Sequence, residues 1–241
     1  MAALLEVEGL SKSFSGLRAA QNVSFAVPEG GIVALIGPNG AGKTTCFNLI
    51  AGVFKPDSGV VRLGGQRIDG RRPDEICRAG IGRTFQLVKP FAGMSVLDNV
   101  VVGALNACRT VREARSYAEQ VLEILDLEAK SGQAAASLTL PERKRLELAR
   151  ALATKPRILL LDEVMAGLRP TEIDLMVELL QELNSKQGLT ILLTEHVMRA
   201  VMALSLRVIV MHHGVVISAG TPDEVTRDPV VIECYLGEEA L

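Results

Sequence analysis

An eight-residue stretch, Gly37-Pro38-Asn39-Gly40-Ala41-Gly42-Lys43-Thr44, constrains this chain more than any other feature. It fits G-x-x-x-x-G-K-[ST] and stands between a short apolar run, Ile32 to Ile36, and a stretch that reads as a helix from about Lys43. A buried strand that turns through glycines into a helix points backbone N–H groups inward, and the helix start adds partial positive charge. Such a loop cradles phosphates. Residues Gly37 to Thr45 are the candidate nucleotide contacts, with Lys43 reaching the β- and γ-phosphates and Thr44 ligating Mg²⁺. The alternative is a glycine-rich turn before a helix, which the strand, loop and helix context disfavours.

A second pair of groups follows downstream. Arg157-Ile-Leu-Leu-Leu-Asp162-Glu163 places two carboxylates just beyond a continuous apolar run, where strand ends of an open α/β sheet form the ligand crevice. Asp162 is predicted to bind Mg²⁺, and Glu163 to orient and deprotonate the water that attacks the γ-phosphate. A helix-capping acidic pair is the competing reading. His196 and Gln86 lie near further predicted strand ends; alone, such a histidine is more often structural and such a glutamine only a surface group. Together with the phosphate loop they supply groups able to read a γ-phosphate, and the combined motifs predict ATP hydrolysis.

The rest of the chain predicts a layered α/β architecture. Alternation at Leu5 to Val7 and Val23 to Val27, and again over Val60 to Ile68 around Gly64-Gly65, predicts an N-terminal antiparallel sheet. Continuous apolar runs at 32–36, 158–161, 190–193 and 208–211 predict a parallel sheet buried on both faces. Residues of about 87–153 read as an inserted helical subdomain, with Ala114, Ala118, Val121, Leu122 and Leu125 at helical spacing and a second helix from about Leu140 to Thr154. No linker divides the chain, so residues 1–241 read as a single domain. His212-His213-Gly214 reads as a hairpin turn. Cys46 reads as a small buried residue.

Composition narrows the function classes. Mean hydropathy is +0.27 with 48% hydrophobic residues, yet every apolar run is interrupted well before the ~18 residues that a membrane span needs. With 26 basic against 28 acidic side chains, the net charge of -2 argues against nucleic acid as a partner. Cys46, Cys77, Cys108 and Cys234 stand singly, and the first ten residues lack a positive n-region followed by an apolar h-region; a reducing, cytoplasmic compartment is expected.

In order and spacing these motifs resemble the ATP-binding subunits of ABC transporters, nearly end to end. The resemblance implies a P-loop NTPase (RecA-like) core with an N-terminal antiparallel β subdomain and an inserted α-helical subdomain. It places Phe14 at the adenine-stacking position, Gln86 on the Q-loop as γ-phosphate sensor and Mg²⁺ contact, Glu163 at the catalytic glutamate and His196 at the switch histidine. Arg83-Thr-Phe-Gln86, Pro90-Phe91, Met94 to Val100, Gly220-Thr-Pro, Asp228-Pro229 and Tyr235-Leu-Gly237 are similar to the branched-chain amino acid importers, a pattern that urea and amide importers share. The resemblance implies ATP and Mg²⁺ as cofactors. It also implies a second ATP-binding subunit, identical or different, two transmembrane permease subunits that meet the surface around 89–100, an external binding protein, and a peripheral place on the cytoplasmic face of the inner membrane.

Three positions depart from the family pattern. The signature Leu-Ser-Gly-Gly-Gln aligns with Leu138-Thr139-Leu140-Pro141-Glu142. Thr139-x-x-Glu142 keeps a capping box, while Pro141 lacks an N–H, Leu140 adds bulk and Glu142 adds negative charge, which Arg143, Lys144 and Arg145 are expected to offset. Arg169 replaces the D-loop aspartate and Val164 the proline after the glutamate. The expectation is that this chain's own nucleotide site is complete and that the signature lent to its partner is impaired, unless the segment is a working variant. A DNA- or ribosome-directed ATPase, a small-molecule kinase and a regulatory ATP switch are the competing functions; a kinase leaves Gln86, the 138–142 segment and His196 unexplained.

Overall fold

The computed structural model describes residues 2–86 and 89–236. Residues 87 and 88, at the start of the expected helical insertion, and Gly237, in the terminal motif, lie outside them. In chain order, β1 (Ala3–Phe14) and β2 (Leu17–Pro28) lead to β3 (Ile32–Ile36), the phosphate loop and α1 (Lys43–Ile50). Next come β4 (Ser58–Leu63), β5 (Gln66–Arg67), α2 (Pro73–Ala79) and β6 (Ile81–Arg83). The helices α3 (Val96–Ala104), α4 (Val111–Ile124) and α5 (Leu140–Leu152) precede β7 (Ile158–Asp162), α6 (Pro170–Gln187) and β8 (Thr190–Thr194). The chain ends with α7 (Met198–Leu204), β9 (Arg207–His212), β10 (Val215–Gly220), α8 (Pro222–Thr226) and α9 (Pro229–Leu236).

Two sheets result. The smaller, in the order β2-β1-β4-β5, is antiparallel, with Leu5, Val7, Val23 and Val27 inward and fully or almost fully buried. The larger runs β10-β9-β3-β8-β7-β6 and is parallel except for the β9–β10 hairpin. Its central strands divide residue by residue between two cores. Ile32, Ala34, Ile36, Leu159, Leu161, Val208 and Val210 face a core shared with α3 to α6, whereas Val33, Leu35, Ile158, Leu160, Ile209 and Met211 face a core shared with α1 and the small sheet. Side chains alternate along a strand, so a strand covered on both faces must be apolar at every position.

The helices start where the chain supplies acceptors. Thr110 accepts from the Glu113 N–H at 3.1 Å and Ser95 from the Asp98 N–H at 3.0 Å. In α4, Ala114, Ala118, Val121 and Leu122 are buried, and Leu125 follows at its end. The strand β6 has only three residues, one of them glycine, and carries too little periodicity to be read from sequence; it nonetheless completes the sheet beside β7. This arrangement gathers the ends of β3, β6, β7 and β8 on one side of the sheet, with the phosphate loop among them.

Candidate active site

The phosphate loop is held by backbone contacts that leave no room for side chains at two positions. A Cβ at Gly37 would lie 2.0 Å from the Met211 carbonyl oxygen, and one at Gly42 would lie 2.3 Å from that of Ala19. Both residues have positive φ, 146° and 102°, so conformation and space select glycine together. The Gly214 N–H donates to the Ala41 carbonyl at 3.0 Å, tying the β9–β10 turn to the loop. Lys43 is 6% exposed, and its ammonium donates to the carbonyls of Gly37 at 2.6 Å and Pro38 at 2.9 Å. The loop opens on a hollow of about 610 Å³ lined by Phe14, Asn39 to Thr45, Gln86, Glu163 and His213, among others. Phe14 is one-third exposed and packs edge-to-face on Phe54, ring centroids 5.1 Å apart, which fixes its orientation at the hollow's rim.

Thr44, Gln86 and Asp162 line an adjoining hollow of about 450 Å³. A hydroxyl, an amide and a carboxylate are hard oxygen donors of the kind Mg²⁺ takes. Asp162 is buried at the end of β7, where one carboxylate oxygen accepts from the Thr194 hydroxyl at 2.8 Å and the other from Arg83 at 3.3 Å. The Asp162 N–H donates to the Thr84 hydroxyl at 3.1 Å. Arg83 also donates to the Asn48 amide oxygen at 2.7 Å and so joins α1 to β7. Its Nε has no hydrogen-bond partner among the described residues, and burial lowers its pKa against the opposing pull of Asp162.

Glu163 occupies the turn after β7 with φ of 50°, in the left-handed region. Its carboxylate accepts from the Gln86 amide at 2.8 Å and meets His196 Nε2 at 3.1 Å. An ionised carboxylate only accepts, so Nε2 carries the proton in this contact. Gln86, Glu163 and His196, remote in sequence, thus meet at the mouth of the phosphate-loop hollow. The buried Glu147 of α5 accepts from the Phe85 N–H and holds the segment leading to Gln86; desolvation raises its pKa.

The signature segment forms the start of α5. Thr139 is its N-cap, and Glu142 accepts from the Thr139 N–H at 2.9 Å. The cation paired with Glu142 is Lys130, not the 143–145 run. Arg145 pairs with Asp126, Arg143 donates to the Ala136 carbonyl, and Lys144 turns inward to the Glu163 carbonyl. The run failed as a counter-charge because successive helix residues point in different directions, whereas Lys130 comes from the preceding loop. Leu140 is 42% exposed and reaches toward Gly167, where an added Cβ would lie 3.2 Å from its methyl. Arg169 precedes α6 and pairs with Glu172. Sequence reading passed over Arg83, Thr84, Asn48, Thr194 and Glu195 as functional positions. The adjacency of Thr194-Glu195 to His196 at a strand end was the available signal.

Comparison with known proteins adds an independent line. A family model described as ABC transporter matches residues 20–166, and one described as Branched-chain amino acid ATP-binding cassette transporter matches residues 215–240. The chain is 40% identical, over 98% of each chain, to the high-affinity branched-chain amino acid transport ATP-binding proteins BraF of Pseudomonas aeruginosa and LivG of Escherichia coli K12. It is 36% identical, over 99% of each, to the lipopolysaccharide export system ATP-binding protein LptB of Acidithiobacillus ferridurans. Among solved structures, a nucleotide-free ATP-binding cassette from an ABC transporter superposes with a TM-score of 0.89 at 31% identity, covering 97% of this chain and 99% of that one. A dimeric cassette in a post-hydrolysis state with ADP and phosphate superposes with a TM-score of 0.82 at 25% identity, covering 90% and 98%.

Proposed function

This chain belongs to the ABC transporter ATP-binding family, and from that premise we propose that it is the ATP-hydrolysing subunit of an importer for branched-chain or other hydrophobic amino acids. In this reading residues 1–241 act as one ATP-binding domain, with about 87–153 as its helical insertion. The subunit pairs with a second ATP-binding subunit beneath two permease subunits, at the cytoplasmic face of the inner membrane, and an external binding protein supplies the cargo. Among the described residues no helix is long and apolar enough to cross a membrane, which fits a peripheral place. The match of residues 215–240 favours amino acids over the cargo of the lipopolysaccharide exporter, whose cassette is nearly as similar.

The observation that carries the mechanism is the placement of one carboxylate, Glu163, between Gln86 and His196. Phe14 stacks on the adenine, and Gly37 to Thr45 with Lys43 hold the phosphates. Thr44, Gln86 and Asp162 would hold Mg²⁺, which neutralises phosphate charge when bound. Glu163 accepts the proton of the attacking water, His196 keeps the carboxylate aimed, and Gln86 reports the γ-phosphate. The cradle and the base lie in one chain. The 138–142 segment faces the partner's nucleotide, and its donors are depleted: Thr139 N–H is held by Glu142, and Pro141 has none. Paired with a different cassette, the chain would make one competent composite site and one weakened one; paired with itself, it would put the altered signature in both.

Purified chain, alone and in membranes with its permease, should lose ATP turnover by a factor of about 10³ on Glu163→Gln, in the range of general-base loss, while ATP affinity stays within about twofold. Turnover that survives the substitution would refute the role of Glu163.

A further inference from the structure

The conformation of Glu163 requires an explanation that its own side chain does not supply. A non-glycine residue holds φ of 50° only when its surroundings enforce it. Three backbone ties surround the turn. The Glu163 N–H donates to the Thr194 carbonyl at 3.0 Å, its carbonyl accepts from the Lys144 ammonium at 3.0 Å, and the Met165 N–H donates to the Glu195 carboxylate at 2.8 Å. The last two come from charged side chains that are 4% and 2% exposed. Burying such groups is costly unless they are used, and neither belongs to the phosphate loop or to the Gln86, Glu163 and His196 cluster. Burial raises the Glu195 pKa, and the nearby Lys144 opposes that rise only in part.

We propose that Lys144 is a positioning residue for hydrolysis: by holding the Glu163 carbonyl it sets the left-handed turn that aims the Glu163 carboxylate at the attacking water, with Glu195 securing the far side of the same turn. The inference rests on the reading of Glu163 as the base. It adds a connection within one chain, because Lys144 lies on α5 two residues beyond Glu142 of the signature segment. The helix start that faces the partner's nucleotide is thus tied to the base acting on this chain's own nucleotide. A purely structural lysine, filling space under β7, is the alternative.

The test uses the full-length chain. In Lys144→Met, hydrogen exchange of the 163–165 amides should rise by about tenfold or more while the rest of the chain keeps its protection. Turnover should fall about tenfold to a hundredfold, the loss expected for a reactive group misplaced by about an ångström, with KM and the nucleotide-binding stoichiometry unchanged. Lys144→Arg, which keeps a cationic donor, should restore most of both. In a Glu163→Gln background, Lys144→Met should change the residual single-turnover rate by less than about twofold, because the two residues act through one group. Wild-type exchange at 163–165 in Lys144→Met would overturn the proposal, as would an equal loss of rate in both backgrounds. Unimpaired turnover in Glu163→Gln alone would instead refute the base, leaving the exchange data to judge the tie.

Discussion

Glu142 makes two contacts that substitution can separate. Its carboxylate accepts from the Thr139 N–H at 2.9 Å and pairs with Lys130, the two side chains being 22% and 37% exposed. Loss of a capping acceptor costs about 1 kcal/mol. An ion pair with that exposure contributes about 0.5–1 kcal/mol after solvent screening. Glu142→Ala removes both and should cost about 1.5–2 kcal/mol, a fall in Tm of about 3–8 °C for a chain of this size. Glu142→Gln keeps an oxygen acceptor and should lose only the pair, about 1–4 °C. Lys130→Met should match the Gln variant, and adding it to Glu142→Gln should cost nothing further. The Lys130 hydrogen bond, followed by that of Thr139, holds the Glu142 carboxyl below its ordinary range. A depressed folded pKa gives stability that is present above the unfolded value and lost as pH falls through the folded one, so the gap between wild type and Ala should narrow in acid below about pH 4.3. Calorimetry of wild type and the four variants at pH 7 and pH 3.5 decides the matter. If Gln is as harmful as Ala, or if the gap is the same at both pH values, the assignment of the two contacts is wrong.

Gly37→Ala should abolish ATP binding, since a methyl 2.0 Å from the Met211 carbonyl forces the loop open; equilibrium binding of a fluorescent ATP analogue within about threefold of wild type would contradict this. Burial raises the Glu195 carboxyl to about 7, so between about pH 4.5 and 7 the unfolded chain releases a proton that the folded chain keeps, and stability falls as pH rises. Glu195→Gln should flatten that slope, worth of order 2–3 kcal/mol, in urea titrations across this range. Replacing Leu140 and Pro141 together by glycine should raise turnover of the assembled transporter, by up to about tenfold if one regained backbone donor meets the partner's γ-phosphate. Unchanged ATPase and transport rates would show that the altered signature is not impaired.

The elements that could be read from sequence are those whose patterns are self-contained. The runs at 32–36, 158–161, 190–193 and 208–211 announced buried strands because each lies between two cores. Thr139 and Glu142 announced the start of α5 because a capping box is local. Phosphate-loop spacing likewise names its own residues. What escaped depends on side chains that meet only after folding. Arg83 sits on a three-residue strand with no period to detect, yet reaches both Asn48 and Asp162. Lys144 reads in sequence as one of three counter-charges to Glu142, and only the folded helix shows that it alone of the three is buried, against the Glu163 carbonyl. Glu195 looks like any acidic residue beside a histidine until burial and the Met165 N–H are seen.

The nucleotide loop lies early in the chain, but the strands that enclose it do not. The partners of β3 in the sheet are β8 and β9, and the wall against Gly37 is the carbonyl of Met211. A ribosome therefore releases residues 32–44 long before anything can close around them, and β3 must wait with both edges unpaired. The tie from the Gly214 N–H to the Ala41 carbonyl can form only once the β9–β10 hairpin has been made. The strands and the hairpin that enclose the phosphate loop are thus made well after the loop itself.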